Sequence, residues 1–344
     1  MQVPNQPMRL LALLAICFSF LSSSFGADTE VFVRVIDVGA GLCCVVKMPQ
    51  DHFMIYDAGD GSKANDKITE VIPKNSVIDL MVLSHSDSDH LGSVPFICKN
   101  YKVKRIIYSG LMKPVKSNPT TPTLAWANAV RAINKEATTD GCDAISLATT
   151  KLVPGTTHTF GDVKVIMVFG LSKPPPEWGF STTSHEAEFY NAGSIVVRLE
   201  FKNRSILFAG DSIGRLAGHA TSECIAAEHA MVTNAQRVTI ASDVLIAPHH
   251  GADNASSLDF IQAVHPQTVI FSAGTLFRHP RTVTVQRFLS IGLSATNFFR
   301  TDLGDKKRAE EWDFKAGSGD KAGDDDIDIT IQSNGKLKVA YRNN

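Results

Sequence analysis

The sequence predicts an α/β fold whose functional site lies where strands end. Three apolar segments of strand composition lead directly into side chains that can bind a ligand. Residues 77–83 precede a histidine–aspartate cluster, 205–210 precede Asp211, and 243–248 precede two adjacent histidines. Helical patterns lie between strand segments, at 91–100, 124–137 and 260–264. Since α/β folds place ligand sites at strand ends, these segments are candidates for one site.

Further strands are predicted before and after these segments. Residues 31–37 alternate in part and are rich in β-branched side chains, which favours a first strand. Lys202-Asn203 and Ser333-Asn-Gly335 are hairpin turns between apolar runs. The loop 170–188 contains three consecutive prolines and is long enough to overhang a cleft. The other predicted strands are 42–48, 53–56, 163–169, 194–201, 268–274, 327–332 and 336–341.

Composition limits the class of protein but does not identify it. The chain has 344 residues, is 44% hydrophobic and 20% charged, and carries a formal net charge of -1. These values are typical of one large globular domain or two small ones. Because the net charge is near zero, any nucleic-acid binding must depend on a local basic patch.

The N-terminus has the layout of a secretory signal peptide. Arg9 precedes an apolar core at 10–21, and mostly small or polar residues follow at 22–26. We predict a signal peptide over 1–26, cleavage after Gly26, and a secreted or periplasmic domain over 27–344. An uncleaved anchor is the alternative. No second apolar stretch has membrane length, so no stable membrane span is expected after cleavage.

Six cysteines occur, and Cys17 leaves with the predicted signal peptide. Cys43 and Cys44 lie in an apolar strand pattern and are predicted core residues. Cys98, Cys142 and Cys224 could pair after export, although the sequence does not choose between pairings.

The segment from Ser84 to Gly92 carries the strongest chemical signal. It places His85, Asp87, Asp89 and His90 within six positions behind a buried strand. Histidine and aspartate are common metal ligands, and alternate residues of an extended segment face the same way. A solvated polar loop is the simpler interpretation, but four such side chains at this spacing favour metal binding.

This segment resembles the His-x-His-x-Asp-His signature of the metallo-β-lactamase superfamily, with Asp87 in place of the second histidine. The variant is similar to the soluble ComEC-type domain of competence DNA uptake. The segments IDVGAGLCCVV, MIYDAGDG, YNAGSIVVRLEFKNRSILFAGD and FSAGTLFRHPRTVTVQRFL extend the resemblance over most of 31–304, least clearly at 112–160. It implies an αββα sandwich, with two mixed sheets flanked by helices.

The resemblance also implies roles for the candidate site residues. It assigns two divalent metal ions, manganese or zinc, to ligands from His85, Asp87, Asp89, His90, Asp211 and His250. His85 and Asp87 belong to the first site, Asp89, His90 and His250 to the second, and Asp211 bridges. Asp37 and Asp57 are expected to support these ligands.

Several assignments stay open at the sequence level. The His-Gly spacing favours His250 as the ligand and leaves His249 to contact substrate phosphate or support a ligand, but the reverse order is an alternative. Asn191 occupies the place where many relatives carry a histidine, so it is either a weak oxygen ligand or a substrate hydrogen-bond donor. His279 and Arg278 are predicted to contact the substrate, while a polar helix start is their structural alternative.

Together these features predict a secreted metal-dependent hydrolase, a ComEC-type phosphodiesterase or nuclease, with Asp89, His249 and His279 in the catalytic set. Two alternatives remain. One is a β-lactamase-like or lactonase-like ester or amide hydrolase. The other is a non-catalytic binding protein with a degraded first metal site. The charged, glycine-rich stretch 306–326 is predicted to be an exposed or disordered insertion.

Overall fold

The computed structural model describes residues 29–218, 223–274, 276–305, 309–312 and 323–342. The predicted signal peptide, 1–26, lies outside the described residues. Two mixed β-sheets, each flanked by helices on its outer side, make up the described part of the chain.

The first sheet contains eight strands in the order β10-β7-β5-β3-β2-β1-β18-β19. Its middle strands β3, β5 and β7 are parallel, whereas β1, β2, β18 and β19 pair antiparallel. The bounds are β1 Val31–Val35, β2 Cys44–Met48, β3 His52–Tyr56, β5 Leu80–Leu83, β7 Arg105–Tyr108, β10 Asp143–Ser146, β18 Ile327–Ile331 and β19 Leu337–Tyr341. Two small strand pairs lie outside it: β4 Val77–Ile78 with β6 Lys102–Val103, and β8 Pro114–Val115 with β9 Asn118–Pro122.

The second sheet contains seven strands in sequence order from β11 to β17. Strands β11 to β14 pair antiparallel, and β14 to β17 pair parallel. The bounds are β11 Thr157–Phe160, β12 Val163–Phe169, β13 Val196–Phe201, β14 Arg204–Phe208, β15 Val244–Ile246, β16 Thr268–Phe271 and β17 Phe298–Arg300. Parallel neighbours point their carboxyl ends in one direction, which gathers the loops after β14, β15 and β16.

The described residues form eight α-helices, most of which pack on the outer faces of the sheets. Their bounds are α1 Asn65–Val71, α2 Ser88–Leu91, α3 Val94–Asn100, α4 Leu124–Thr139, α5 Glu186–Asn191, α6 Ala226–Asn234, α7 Leu258–Val264 and α8 Thr282–Ser290. Thr123 caps the longest helix, α4, because its side chain accepts a hydrogen bond from the Trp126 amide.

Three apolar layers hold the fold together and confirm the predicted αββα sandwich. Inward side chains of both sheets, such as Val46 and Leu199, share the central layer. The outer face of the first sheet packs on α1, α3 and α4, and that of the second on α6, α7 and α8. The Tyr56 hydroxyl donates to the Ile195 carbonyl at 2.6 Å, which joins the two sheets close to the predicted site.

Two of the predicted segments differ in part from the structure. The predicted strand over 77–83 is interrupted at Asp79, whose carboxylate turns to the Phe53 amide and to Lys104. In the predicted insertion over 306–326, Ala309, Glu310 and Gly323 are exposed, whereas Glu311 and Asp326 are buried. Their carboxylates are ion-paired with arginine or lysine side chains, which offsets the cost of burial. The remaining residues of that stretch lie mostly outside the described ranges.

Cys43 and Cys44 are fully buried, as predicted for core residues. Cys98, Cys142 and Cys224 are free thiols in the structure, so none of their alternative pairings is formed. Among the described residues, no helix combines the length and apolar character that a membrane crossing requires.

Candidate metal centre

The candidate site lies at the edge where the two sheets meet. The histidine–aspartate cluster leaves β5 of the first sheet and enters the one-turn helix α2. Asp211 follows β14 of the second sheet, and His250 follows its parallel neighbour β15. The Ile195 amide donates to the Ser84 carbonyl at 2.9 Å, which fixes one sheet against the other beside the cluster.

Asp89, His90 and His250 form a group that can hold a metal ion, here called the second site. One ligand atom from each lies within 4.8 Å of the other two. The Nε2 atoms of His90 and His250 are 3.3 Å apart, and His250 Nε2 is 3.8 Å from Asp89 Oδ2. Two imidazoles and one carboxylate at this spacing suit a divalent cation.

Asp211 lies between this group and His85. His85 Nε2 is 3.7 Å from Asp211 Oδ2, and His90 Nε2 is 3.3 Å from Oδ1. His250 Nε2 is 3.5 Å from Asp211 Oδ2. His85, His90 and Asp211 themselves form a second group within 4.8 Å. The Asp211 carboxylate therefore lies within reach of the ligands assigned to both cations.

Hydrogen bonds behind the imidazoles decide which nitrogen faces the centre. The buried Asp57 carboxylate accepts from His90 Nδ1 at 2.8 Å and from the amide and hydroxyl of Ser84 at 2.7 Å each. Because the Ser84 proton goes to Asp57, its oxygen accepts from His85 Nδ1 at 2.9 Å. When the rings are neutral, both Nε2 atoms therefore present lone pairs to a cation at the centre, and Asp57 has the supporting role that the sequence predicted.

The loop after β15 uses a strained backbone to place two adjacent histidines in one site. His249 and His250 have φ values of 48° and 57°, and Gly251 follows at 84°. The His249 amide donates to the Gly210 carbonyl at 2.9 Å, which ties this loop to the end of β14. His250 Nδ1 donates to the Ser272 carbonyl at 2.7 Å, so its Nε2 also faces the centre as an acceptor. Left-handed non-glycine residues are costly and are typical of functional sites.

The central groups shift one another's pKa. Burial, with His90 adding to it, lowers the pKa of His85 to about 3. Burial alone would lower the pKa of His90 and His250, but the Asp211 carboxylate outweighs it and raises both. Burial would raise the pKa of Asp211, yet the histidines, His250 foremost, hold it well below its usual range. The centre therefore carries an ionised carboxylate together with shared protons, which a cation would displace on binding.

Four further buried atoms outline a candidate site for another cation. This site is here called the first site. His85 Nε2, Asp87 Oδ1, Asn191 Oδ1 and Asp211 Oδ1 are buried and lack a hydrogen-bond partner among the described residues. Buried polar atoms normally find a partner, and these four are acceptors. His85 Nε2 lies 3.9 Å from Asp87 Oδ1. One imidazole nitrogen and three oxygens are donor types that suit a divalent cation.

A cavity of about 1050 Å³ opens over the centre. Asp87, Asp89, Asp211 and His250 lie in its wall. Its cationic lining comes from Lys63, Lys67, Lys113 and Arg281. Leu276 and Phe277, which are 61% and 51% exposed, contribute apolar surface to the same wall. The cavity is large enough to hold a small-molecule substrate.

Residues 36–171 match the family model of the metallo-beta-lactamase superfamily. The chain contains a metallo-beta-lactamase superfamily domain. The matched range includes the cluster from His85 to His90, while Asp211 and His250 follow it in the chain.

Individual proteins give more distant likenesses. The chain is 25% identical over 211 residues to ComE operon protein 3 of Bacillus subtilis (strain 168), and this covers 61% of the chain. It spans only 22% of that protein's length. This likeness agrees with the ComEC-type resemblance of the sequence motifs.

Two solved structures are similar to this chain at low identity. The metallo-beta-lactamase fold protein YhfI from Bacillus subtilis has a TM-score of 0.45 and 12% identity, covering 79% of this chain and 96% of that one. CmlA, a diiron beta-hydroxylase from Streptomyces venezuelae, has a TM-score of 0.45 and 14% identity, covering 79% and 53%.

His250, rather than His249, joins Asp89 and His90 in the metallo-beta-lactamase centre. His249 Nδ1 lies 2.7 Å from Asn254 Oδ1, and its Nε2 lies 3.2 Å from Asn191 Nδ2. Both ring nitrogens are therefore engaged within the protein. Of the two roles predicted for His249, these contacts favour support of a neighbour; its side chain also lines the cavity, and contact with substrate stays a prediction.

His279 lies in the cavity wall beside the paired histidines. Its ring centroid is 5.8 Å from that of His249 and 6.1 Å from that of His250. Burial, together with the positive charge that His249 and His250 can carry, holds the pKa of His279 well below its usual range. A neutral imidazole on the substrate side can donate or accept a hydrogen bond without carrying charge.

The structure does not bring Arg278 to the cavity. Its guanidinium lies 3.8 Å from Glu310 Oε2, its side chain is 48% exposed, and it is absent from the described lining residues. Its backbone φ is 61°, in the left-handed region. Arg281 lies in the wall instead and pairs with Glu310 at 2.6 Å. Arg281, rather than Arg278, is therefore the arginine that is placed to contact a substrate.

The sequence prediction missed three residues close to the centre. Lys113 Nζ lies 2.5 Å from Asp87 Oδ2 and 5.1 Å from the centre of the Tyr190 ring. Glu188 and Asn254 are hydrogen-bonded to each other at 3.0 Å behind His249. Lys113 belongs to the stretch in which the family resemblance is weakest. In the sequence, Asn254 could have been identified as a candidate because it lies in the polar run that follows His250.

Proposed function

We propose that this protein is an exported, metal-dependent phosphodiesterase of ComEC type, acting on a nucleic-acid strand or a similar phosphodiester. The domain belongs to a superfamily of metal-dependent hydrolases, which supports the general class. The finer choice of a phosphodiester rests on the chemistry of the first site and on the cavity above it.

The observation that carries the proposal is the oxygen-rich donor set of the first site. His85 supplies one nitrogen, while Asp87, Asn191 and Asp211 each have an unpaired buried oxygen. Carboxylate and amide oxygens are hard ligands, which favour manganese or magnesium over zinc. Such cations commonly serve phosphoryl-transfer sites, where they balance the charge of a phosphate.

The cavity wall contains seven aspartates and four cationic side chains, so its positive charge becomes available to a phosphate where a bound metal ion takes over an aspartate. Lys113 and Asp87 pair at 2.5 Å, Lys63 and Asp60 at 2.9 Å, and Arg281 and Glu310 at 2.6 Å. Cation binding would neutralise Asp87 and leave the Lys113 ammonium for another anion. A phosphodiester of a polynucleotide can meet such cationic side chains along an open cavity of this size.

The side chains divide the chemistry between them. Two bound divalent cations would supply an activated water and neutralise charge on the phosphoryl oxygens. Asp89, whose side chain is 22% exposed in the cavity wall, is placed to orient that water and accept its proton. Neutral His279 faces the same space and can donate a hydrogen bond to the leaving oxygen. Asp57 and Ser84 hold His85 and His90 in the required tautomers.

Export is the second part of the proposal. Its support is the layout of residues 1–26, a basic residue, an apolar core and small residues before Ala27. A secreted or periplasmic location would give the domain access to external nucleic acid.

The test begins with metal-free protein reconstituted with manganese. We expect turnover of bis(p-nitrophenyl) phosphate and then of single-stranded DNA, with loss of both in Asp89→Ala. A β-lactam and an acyl lactone are offered in parallel. Turnover of either without phosphodiester cleavage would replace the proposal with the ester or amide hydrolase alternative. Binding of two cations without turnover of any substrate would favour a binding protein.

A further inference from the structure

A chain of hydrogen bonds leads from Glu188 to the amide of Asn191. Glu188 Oε1 accepts from Asn254 Nδ2 at 3.0 Å, and Asn254 Oδ1 lies 2.7 Å from His249 Nδ1. His249 Nε2 lies 3.2 Å from Asn191 Nδ2. Here this chain is called the Glu188 relay. It begins and ends on the same helix, since Glu188 and Asn191 both belong to α5.

The donor and acceptor atoms of each partner determine the direction of each hydrogen bond in the relay. An ionised carboxylate only accepts, so Glu188 requires the amide nitrogen of Asn254 to face it. The Asn254 oxygen then faces His249 and requires a proton on Nδ1. The tautomer with its proton on Nδ1 has an acceptor at Nε2, which matches the Asn191 Nδ2 atom that lies 3.2 Å away.

The last step orients Asn191. An acceptor at His249 Nε2 requires the Asn191 amide nitrogen to face it, which turns Asn191 Oδ1 away from the relay. That oxygen is buried in a residue only 2% exposed, has no partner among the described residues, and belongs to a side chain in the cavity wall. His249 Nε2 is itself 3.8 Å from Asp211 Oδ2, so the relay ends beside the first site.

We propose that Asn191 Oδ1 is an oxygen ligand of the first cation and that Glu188, acting through Asn254 and His249, is the positioning residue that directs it there. Of the two roles open for Asn191, ligand and substrate hydrogen-bond donor, the geometry favours the ligand, because the amide nitrogen faces His249 Nε2 and the amide oxygen is the buried atom left without a partner among the described residues. The first site then draws on His85, Asp87, Asp211 and Asn191. This inference rests on the proposed metal-dependent function but concerns metal binding alone.

The experiment is a calorimetric titration of metal-free protein with manganese, with free manganese followed by electron paramagnetic resonance. The natural protein should show two classes of site. Asn191→Leu, which keeps the size of the side chain without its oxygen, should lose the weaker class and keep the stronger one. Asn191→Asp should keep both classes and bind manganese more tightly at the first site.

Removing the Glu188 carboxylate, where the relay begins, tests its role. Glu188→Met should weaken only the first site, by roughly 10- to 100-fold, the usual effect of losing a partner that supports a ligand. Glu186→Met makes the same substitution on the same helix and should leave both affinities unchanged. Adding Asn191→Asp to Glu188→Met should restore the first site, because a carboxylate presents an oxygen in either orientation.

Circular dichroism and thermal unfolding establish that each variant is folded. If Asn191→Leu does not fold, Glu188→Met and its rescue by Asn191→Asp decide the question. Unchanged first-site affinity in Asn191→Leu or in Glu188→Met overturns the inference and leaves the proposed function standing. Failure of the natural protein to bind manganese at all overturns both.

Discussion

Lys113 holds one oxygen of Asp87, with Nζ 2.5 Å from Oδ2, while Asp87 Oδ1 remains buried and unpaired. One oxygen of the carboxylate thus pairs with an ammonium group, and the other is available to the first site. Because a positive charge at this distance opposes a cation on the other oxygen, Lys113 and the first cation compete for Asp87.

Lys113→Met should therefore strengthen manganese binding at the first site by roughly tenfold or more, since the variant keeps the length of the side chain and removes its charge. The second site should be little affected. Calorimetric titration of metal-free protein measures both affinities. The matched control is Lys116→Met, which removes an exposed lysine from the same segment. Equal first-site affinity in both variants would show that the ion pair does not oppose the cation.

Asp211→Ala should remove metal binding and turnover together while leaving the fold largely intact. Asp211 lies 3.3 Å to 3.8 Å from the Nε2 atoms of the four surrounding histidines, His85, His90, His249 and His250. Its loss should weaken both sites, because its carboxylate reaches the ligands of both. Metal content by atomic emission and turnover in manganese provide the measurement. Normal values of both in a folded variant would contradict the bridging assignment.

Asp87→His should shift the activity optimum from manganese towards zinc. The substitution replaces a hard, charged oxygen with a neutral nitrogen of intermediate softness. It also removes the partner of Lys113. Turnover is measured in titrations with each metal, starting from metal-free natural and variant protein. A natural protein that works best with two tightly held zinc ions would defeat this account of Asp87.

Asp37→Asn should stabilise the protein at neutral pH and not at acid pH. Burial raises the pKa of Asp37 from 3.8 to about 6, despite hydrogen bonds and the charge of Lys67. The folded state therefore holds a proton that the unfolded chain has released, so stability falls as pH rises from about 4 to about 6. The asparagine does not ionise, and its oxygen can still accept from the Gly39 amide.

The expected gain is at most about 3 kcal/mol in the free energy of unfolding at pH 8. Urea unfolding of metal-free natural protein and variant at pH 4 and pH 8 measures it. A gain of the same size at both pH values would mean that ionisation of Asp37 is not the cause.

The mature protein should begin near Ala27. The basic residue, apolar core and small residues before it have the layout that signal peptidases recognise. N-terminal sequencing of protein collected from the culture medium or periplasm gives the answer. A mature chain that retains Met1 would contradict cleavage.

Much of the fold could be predicted because its determinants are local. Apolar runs with β-branched residues, such as 31–35 and 163–169, became strands at the expected places, since burial of such runs favours an extended backbone. The interruption at Asp79 was not predictable from the run itself. It depends on the Phe53 amide and on Lys104, which are distant in the chain.

The sequence by itself determined which residue types were available for the centre. His85, Asp87, Asp89 and His90 lie in one segment, so their proximity follows from chain connectivity. The donors Asp211 and His250 could be found because each follows an apolar strand. Only the tertiary structure decided between His249 and His250, because two left-handed residues in succession turn the two rings in different directions.

Only the tertiary structure also showed what surrounds the ligands. Lys113, Glu188 and Asn254 carry no local signature, and their roles arise from hydrogen bonds and ion pairs that bring separate parts of the chain within 3.0 Å. Arg278, predicted at the site, instead faces Glu310. Sequence patterns report burial and local conformation, whereas the direction of a polar side chain depends on the partners that folding places around it.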